Sequence, residues 1–131
     1  MILTDTSVLI DYFRGVKNKG VTKFKKVLEH DIPFGITSFI FQELLQGAKT
    51  EKEYRLLKKY LSSQRLFQPK DPVDSSAQAA RIYFDCRKRG ITIRSSVDCL
   101  IAQISIEHNL LLLHNGRDFV LMKELIDLKF Y

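Results

Sequence analysis

The sequence predicts an α/β fold in which a mostly parallel sheet carries helices on both faces, and three observations lead there. Short apolar segments, Met1-Ile2-Leu3-Thr4, Pro33-Phe34-Gly35-Ile36 and Leu110 to Leu113, alternate with stretches of helical periodicity. Leu110 to Leu113 is unbroken apolar sequence, the mark of a strand covered on both faces. The chain has 131 residues and a mass of 15.2 kDa, the size of one folding unit, so one domain over residues 1–131 is expected. Its 45 % hydrophobic and 27 % charged residues are the balance of a globular protein with a buried core.

Each element has its own signal. After the first apolar segment, Asp5-Thr6-Ser7 starts a helix that continues through Val8, Leu9, Ile10, Tyr12 and Phe13. Lys17 to Glu29 places Val21, Phe24, Val27 and Leu28 at helical spacing among lysines. The strand ending at Ile36 leads to Thr37 or Ser38 as a cap, and the next helix runs to Gly47. Thr50 to Leu61 is a further amphipathic helix, and Leu66-Phe67 is a minimal strand closed by Pro69 and Pro72. Val73 to Arg89 is helical up to Gly90, with basic residues in its last turn, where they suit the helix dipole. A helix from Ser96 to Asn109 and one over Phe119 to Leu125 flank the Leu110 to Leu113 strand. Right-handed crossovers between such strands give a parallel sheet, whose reactive groups collect at the carboxyl ends.

Lys and Arg number 21 against 15 Asp and Glu, a net charge of +6 that suits a polyanion or an acidic protein segment as partner. No run approaches the roughly 18 apolar residues of a membrane span, and no leader-like segment precedes Asp5, so an unexported protein is expected. Cys86 and Cys99 lack the spacing of a zinc or redox motif and fit a reducing cytoplasm. A glycine-rich phosphate loop is absent.

Four carboxylates fall at element ends or among apolar neighbours: Asp5, Glu43, Asp98 and Asp118. Taken singly, the three aspartates read first as helix caps, Glu43 reads equally as a half-exposed helix residue, and the basic stretches read first as solvated faces. Crowded together, these acids would repel one another and need positive charge among them. A hard divalent cation with oxygen ligands supplies it, and can orient water beside a phosphate.

Four ordered blocks carry a resemblance. Leu3-Thr4-Asp5-Thr6-Ser7-Val8-Leu9-Ile10-Asp11, Ile36-Thr37-Ser38 through Glu43-Leu44-Leu45-Gln46-Gly47, Ile93-Arg94-Ser95-Ser96-Val97-Asp98-Cys99-Leu100-Ile101-Ala102 and Leu112-Leu113-His114-Asn115-Gly116-Arg117-Asp118-Phe119 resemble PIN-domain ribonucleases. The likeness is closest to the VapC-type toxins of type II toxin–antitoxin pairs. It implies a three-layer α/β/α sandwich and an Mg²⁺- or Mn²⁺-dependent endoribonuclease that cuts structured RNA such as tRNA or rRNA. It further implies Asp5, Asp98 and Asp118 as metal ligands, Glu43 as the group that holds metal-bound water or activates the nucleophile, and Ser7 as support for Asp5. Asp11 matches a frequent position outside the catalytic set. The expected partners are RNA, a VapB-type antitoxin and a second copy of the chain, with Leu9, Ile10, Phe13, Tyr54 and Leu57 available for contacts or for the core. In the last block His114 stands where relatives commonly have Thr, and Gly116 where many carry another Asp.

Two other readings remain open at the level of sequence. The irregular last block also suits a catalytically silent PIN-like module that binds RNA or protein. A phosphatase with Asp5 as nucleophile would usually carry a second Asp two residues on, where this chain has Ser7.

Overall fold

The computed structural model describes all 131 residues. Five strands, β1 (Ile2–Thr4), β2 (Phe34–Thr37), β3 (Arg65–Phe67), β4 (Leu111–Leu113) and β5 (Lys129–Phe130), form one sheet in the order β3-β2-β1-β4-β5. Every pairing is parallel, with Leu3 opposite Gly35 on one side and Leu112 on the other. Seven helices complete the chain: α1 (Thr6–Phe13), α2 (Lys19–Glu29), α3 (Ser38–Gln46), α4 (Glu51–Ser62), α5 (Pro72–Lys88), α6 (Ser96–Glu107) and α7 (Arg117–Met122). Their mutual contacts fall into two groups, α1 with α2 and α3 and α3 with α4, then α5 with α6 and α6 with α7. That division follows from the strand order. Right-handed crossovers that first walk from β1 to β3 and then from β4 to β5 put the two sets of helices on opposite faces. The result is the expected three-layer α/β/α arrangement.

Capping fixes most helix starts. Thr37 accepts from Ile40 N–H, Thr50 from Glu53 N–H, and Asp71 from Val73 and Asp74 N–H ahead of Pro72. The second helix starts later than the Lys17 of the sequence pattern because Asn18 is its cap: Oδ1 accepts from Val21 N–H at 2.9 Å, so α2 begins at Lys19. Gly90 adopts a φ of +78° and turns the chain away after α5.

Twenty-five buried apolar residues form one contiguous core, centred on Leu3, Ile36 and Leu112 in the sheet, with Phe24, Ile40, Ile101 and Phe119 from the helices. The apolar run at 110–113 is covered unevenly: Leu112 and Leu113 are buried, whereas Leu111 is 36 % exposed at the start of β4. The last helix spans Arg117–Met122 rather than 119–125, which places Asp118 inside its first turn. Strand β5 has no counterpart in the sequence reading, since two residues are too few for periodicity to register. Leu9 belongs wholly to the core; Ile10 and Leu57 are half-buried, and Phe13 and Tyr54 are exposed. No helix is long and apolar enough to cross a membrane. Cys86 and Cys99 are free and buried, and burial raises both thiols, Cys99 to about 12.

Phe24 is fully buried and meets Tyr12 and Phe34 edge-on at centroid distances of 5.0 and 5.2 Å. Phe24→Ala is expected to lower stability by roughly 3–5 kcal/mol in chemical denaturation, the range for a buried aromatic replaced by a methyl group.

Candidate active site

The strand order reverses between β1 and β4, and in open parallel sheets the crevice at the carboxyl ends beside such a reversal is where reactive groups gather. Asp5 follows β1 directly, and its N–H donates to Leu113 O at 2.9 Å, which joins the ends of the two central strands. It is 5 % exposed and caps α1: Oδ2 accepts from Ser7 N–H at 3.1 Å and from the Ser7 hydroxyl at 2.7 Å. Ser7 thus engages one oxygen of Asp5 through both its main chain and its hydroxyl, and leaves Oδ1 without a protein donor.

Capping does not account for the other two aspartates. Asp98 lies in the first turn of α6 behind Ser95, and no side chain caps that helix. Asp118, also 5 % exposed, lies behind Gly116, and its Oδ2 accepts from the main-chain N–H of Arg94 at 2.9 Å, 24 residues away. The Arg94 guanidinium stands 3.6 Å from the same oxygen but is 73 % exposed, so the ion pair is a weak one. Glu43 reaches back from α3, where its Oε1 accepts from the Thr6 hydroxyl at 3.2 Å.

The electrostatics bring the four acids together. The Asp98 carboxyl, half-buried, is pushed from its ordinary 3.8 to about 7, by loss of water first and then by the charges of Asp5, Asp118 and Glu43, with Arg94 opposing. Glu43 is exposed as a residue, yet its carboxyl is raised by partial loss of water, against the lowering hydrogen bond from Thr6 and with a further upward push from Asp5. Arg94 is the only cation that acts on Asp98, so the pocket is short of positive charge.

The donor set fits a hard divalent cation. It is oxygen throughout; Asp5, Glu43 and Asp118 each engage one carboxylate oxygen with the protein, and Asp98 accepts no hydrogen bond. No group of three or more His, Cys, Asp or Glu side chains is arranged to hold a metal ion on its own. Mg²⁺ or Mn²⁺ keeps waters and needs only one or two direct carboxylates.

His114 packs among aromatic rings. It is half-buried against Phe119 and Phe130, at centroid distances of 5.1 and 4.3 Å, and its Nδ1 accepts from Gly116 N–H at 3.0 Å. Burial first of all lowers its pKa, and the accepted hydrogen bond places the proton of the neutral ring on Nε2. Thr6 and Arg94 are site residues that the sequence reading did not single out. Thr6 carried a signal, since it adjoins Asp5 at the helix start, whereas a main-chain donor such as that of Arg94 carries none.

Fold and site together define a class: a parallel α/β/α domain that places carboxylates at the carboxyl ends of its two central strands. The PIN domain pattern matches residues 2–125, and the chain belongs to the PIN-domain family. It is 30 % identical over 130 residues to a VapC ribonuclease of Mycobacterium bovis and to ribonuclease VapC11 of Mycobacterium tuberculosis, covering 98 % of this chain and 96 % of each relative. Among solved structures it resembles VapBC-1 from nontypeable Haemophilus influenzae, with a TM-score of 0.75 at 19 % identity over 100 % of this chain and 97 % of that one. VapBC2 from Rickettsia felis, bound to a DNA fragment from its promoter, gives 0.73 at 19 % identity over 100 % and 98 %. At these identities the structures establish the fold.

A raised carboxyl binds its proton more tightly in the folded state than in the unfolded chain, so the stability it contributes is present at low pH and lost as pH rises from about 4 through about 7. Metal-free protein is therefore expected to have a lower Tm at pH 7.5 than at pH 5. Asp98→Asn is expected to raise Tm at pH 7.5 and to flatten that dependence, as thermal denaturation across the pH range will show.

Proposed function

We propose that the chain is a metal-dependent endoribonuclease, the toxin of a toxin–antitoxin pair, and that one PIN domain over residues 1–131 carries the activity. The observation that carries this reading is the placement of Asp5 directly after β1 and of Asp118 just past β4, at the carboxyl ends of the two central strands, with Asp98 half-buried in the first turn of α6. The 30 % identity to VapC ribonucleases over nearly the whole chain supports the substrate class, and the likeness to VapBC complexes supports a VapB-type antitoxin as partner.

Bound Mg²⁺ or Mn²⁺ supplies charge neutralisation at the scissile phosphate and a water made more acidic. The protein does the rest. Asp5 and Asp98 are the principal ligands, with Asp118 completing the set. Ser7 holds one oxygen of Asp5 and leaves the other free for the ion. Thr6 holds one oxygen of Glu43, so the second is available to take a proton from the attacking water as the phosphorus–oxygen bond of the backbone opens. Lys17, Lys19 and Lys23 surround an open basic hollow of about 520 Å³ that suits the phosphates of structured RNA, tRNA or rRNA among them.

The groove lined by Ile10, Phe13, Leu44, Leu56, Leu57 and Tyr60, about 550 Å³, is the apolar surface we assign to the antitoxin. A homodimer and a cytoplasmic location complete the reading. A second reading, a silent module that binds RNA without cutting it, is favoured by Gly116 in the last block and by the absence of a three-carboxylate cage.

RNA cleavage separates the two. Asp5→Asn or Asp98→Asn is expected to reduce cleavage by about 10²–10⁴-fold, the span of positioned acid–base groups, and to abolish growth arrest on expression. Sequencing RNA 5′ ends after brief expression identifies the target. Undiminished cleavage by either folded variant would overturn the site, and no cleavage by the unaltered protein would favour the silent module.

A further inference from the structure

Asn115 lies two residues past β4, in the connection 114–116 that leads to α7, and it faces two ways. Its main-chain N–H donates to the Ser7 hydroxyl oxygen at 3.0 Å, and that hydroxyl donates to Asp5 Oδ2 at 2.7 Å. Because the Ser7 oxygen accepts from Asn115, its one proton is directed to Asp5. The carboxamide of Asn115 reaches the other way. Its Nδ2 donates to Asp11 Oδ2 at 3.2 Å and to Asn18 Oδ1 at 3.1 Å. Asn18 Nδ2 donates to the same Asp11 oxygen at 2.8 Å, while Asn18 Oδ1 also caps α2 through Val21 N–H. A carboxylate only accepts, so Asp11 fixes which end of each amide faces it.

Gly20 makes room for this arrangement. A Cβ at that position would stand 2.1 Å from Asn115 Oδ1, and its three nearest neighbours would all be atoms of the Asn115 carboxamide. Glycine weakens a helix interior, so its place in the first turn of α2 is explained by the amide that lies on it.

We propose that Asn115 is a positioning residue of the acidic pocket: its side chain clamps the 114–116 connection to Asp11, Asn18 and Gly20, and its main chain thereby holds Ser7 and Asp5. The proposal rests on the nuclease reading for its catalytic consequence, while the clamp itself is independent of that reading. Removing an outer partner of a metal-ligating group typically lowers affinity or activity 10–100-fold.

The test uses the full chain with Asn115→Ala and Gly20→Ala, alone and combined. In metal-free protein, hydrogen exchange at the Ser7 and Val21 amides is expected to accelerate about tenfold in Asn115→Ala, with the core amide of Leu112 unchanged. Unchanged exchange at Ser7 would overturn the clamp. With Mn²⁺ present, Mn²⁺ affinity and kcat are expected to fall about 10–100-fold at nearly constant KM. Full Mn²⁺ affinity and kcat in folded Asn115→Ala would overturn the positioning role. Gly20→Ala is expected to match Asn115→Ala and to add little in its background, whereas additive losses would contradict the direct contact. If the unaltered protein neither binds Mn²⁺ nor cuts RNA, the nuclease reading fails, and the exchange comparison still decides the clamp.

Discussion

The burial and crowding of carboxylates is the constraint on which this structure turns. Asp98 stands half-buried, and loss of water first, then the charges of three other acids, with one exposed arginine opposing, displace its carboxyl to about 7. A fold selected only for stability has no use for such a cluster, because an apolar group of similar volume at Asp98 would remove the like-charge penalty. The cluster is retained where the parallel sheet reverses its strand order, the place at which this kind of sheet offers a crevice.

The surrounding residues lessen the repulsion without neutralising it. Ser7 gives Asp5 two donors, Thr6 gives Glu43 one, and the main chain at Arg94 gives Asp118 one. Each of these bonds takes up one carboxylate oxygen and leaves the other without a protein donor. Asp98, which has no such donor, is displaced to about 7. An external cation is the remaining way to balance the pocket, and the oxygen-only donor set fits one that keeps its waters.

Much of this was legible in the sequence because its signals are local. Apolar runs between amphipathic helices give the parallel sheet, and Thr37 and Thr50 mark helix starts to within a residue or two. The four ordered blocks pointed to Asp5, Glu43, Asp98 and Asp118, whose roles are proposals. Non-local contacts left less trace. The donor to Asp118 is a main-chain group in a different block, and β5 is two residues long. The clamp joins Asp11, Gly20 and Asn115 across 104 positions, and its only local sign was a glycine inside a helical pattern. Leu9 illustrates the opposite limit: periodicity marks an apolar position without telling core from contact surface, and here it is core.

Calorimetric titration of Mn²⁺ into the metal-free protein at pH 6.5, in buffers of different ionisation enthalpy, tests the central claim most directly. At that pH, below the displaced value of about 7, much of the Asp98 carboxyl is protonated, so binding is expected to release a large fraction of a proton, and Asp98→Asn to abolish the release. Absence of Mn²⁺ binding, or binding with no proton released, would contradict the account.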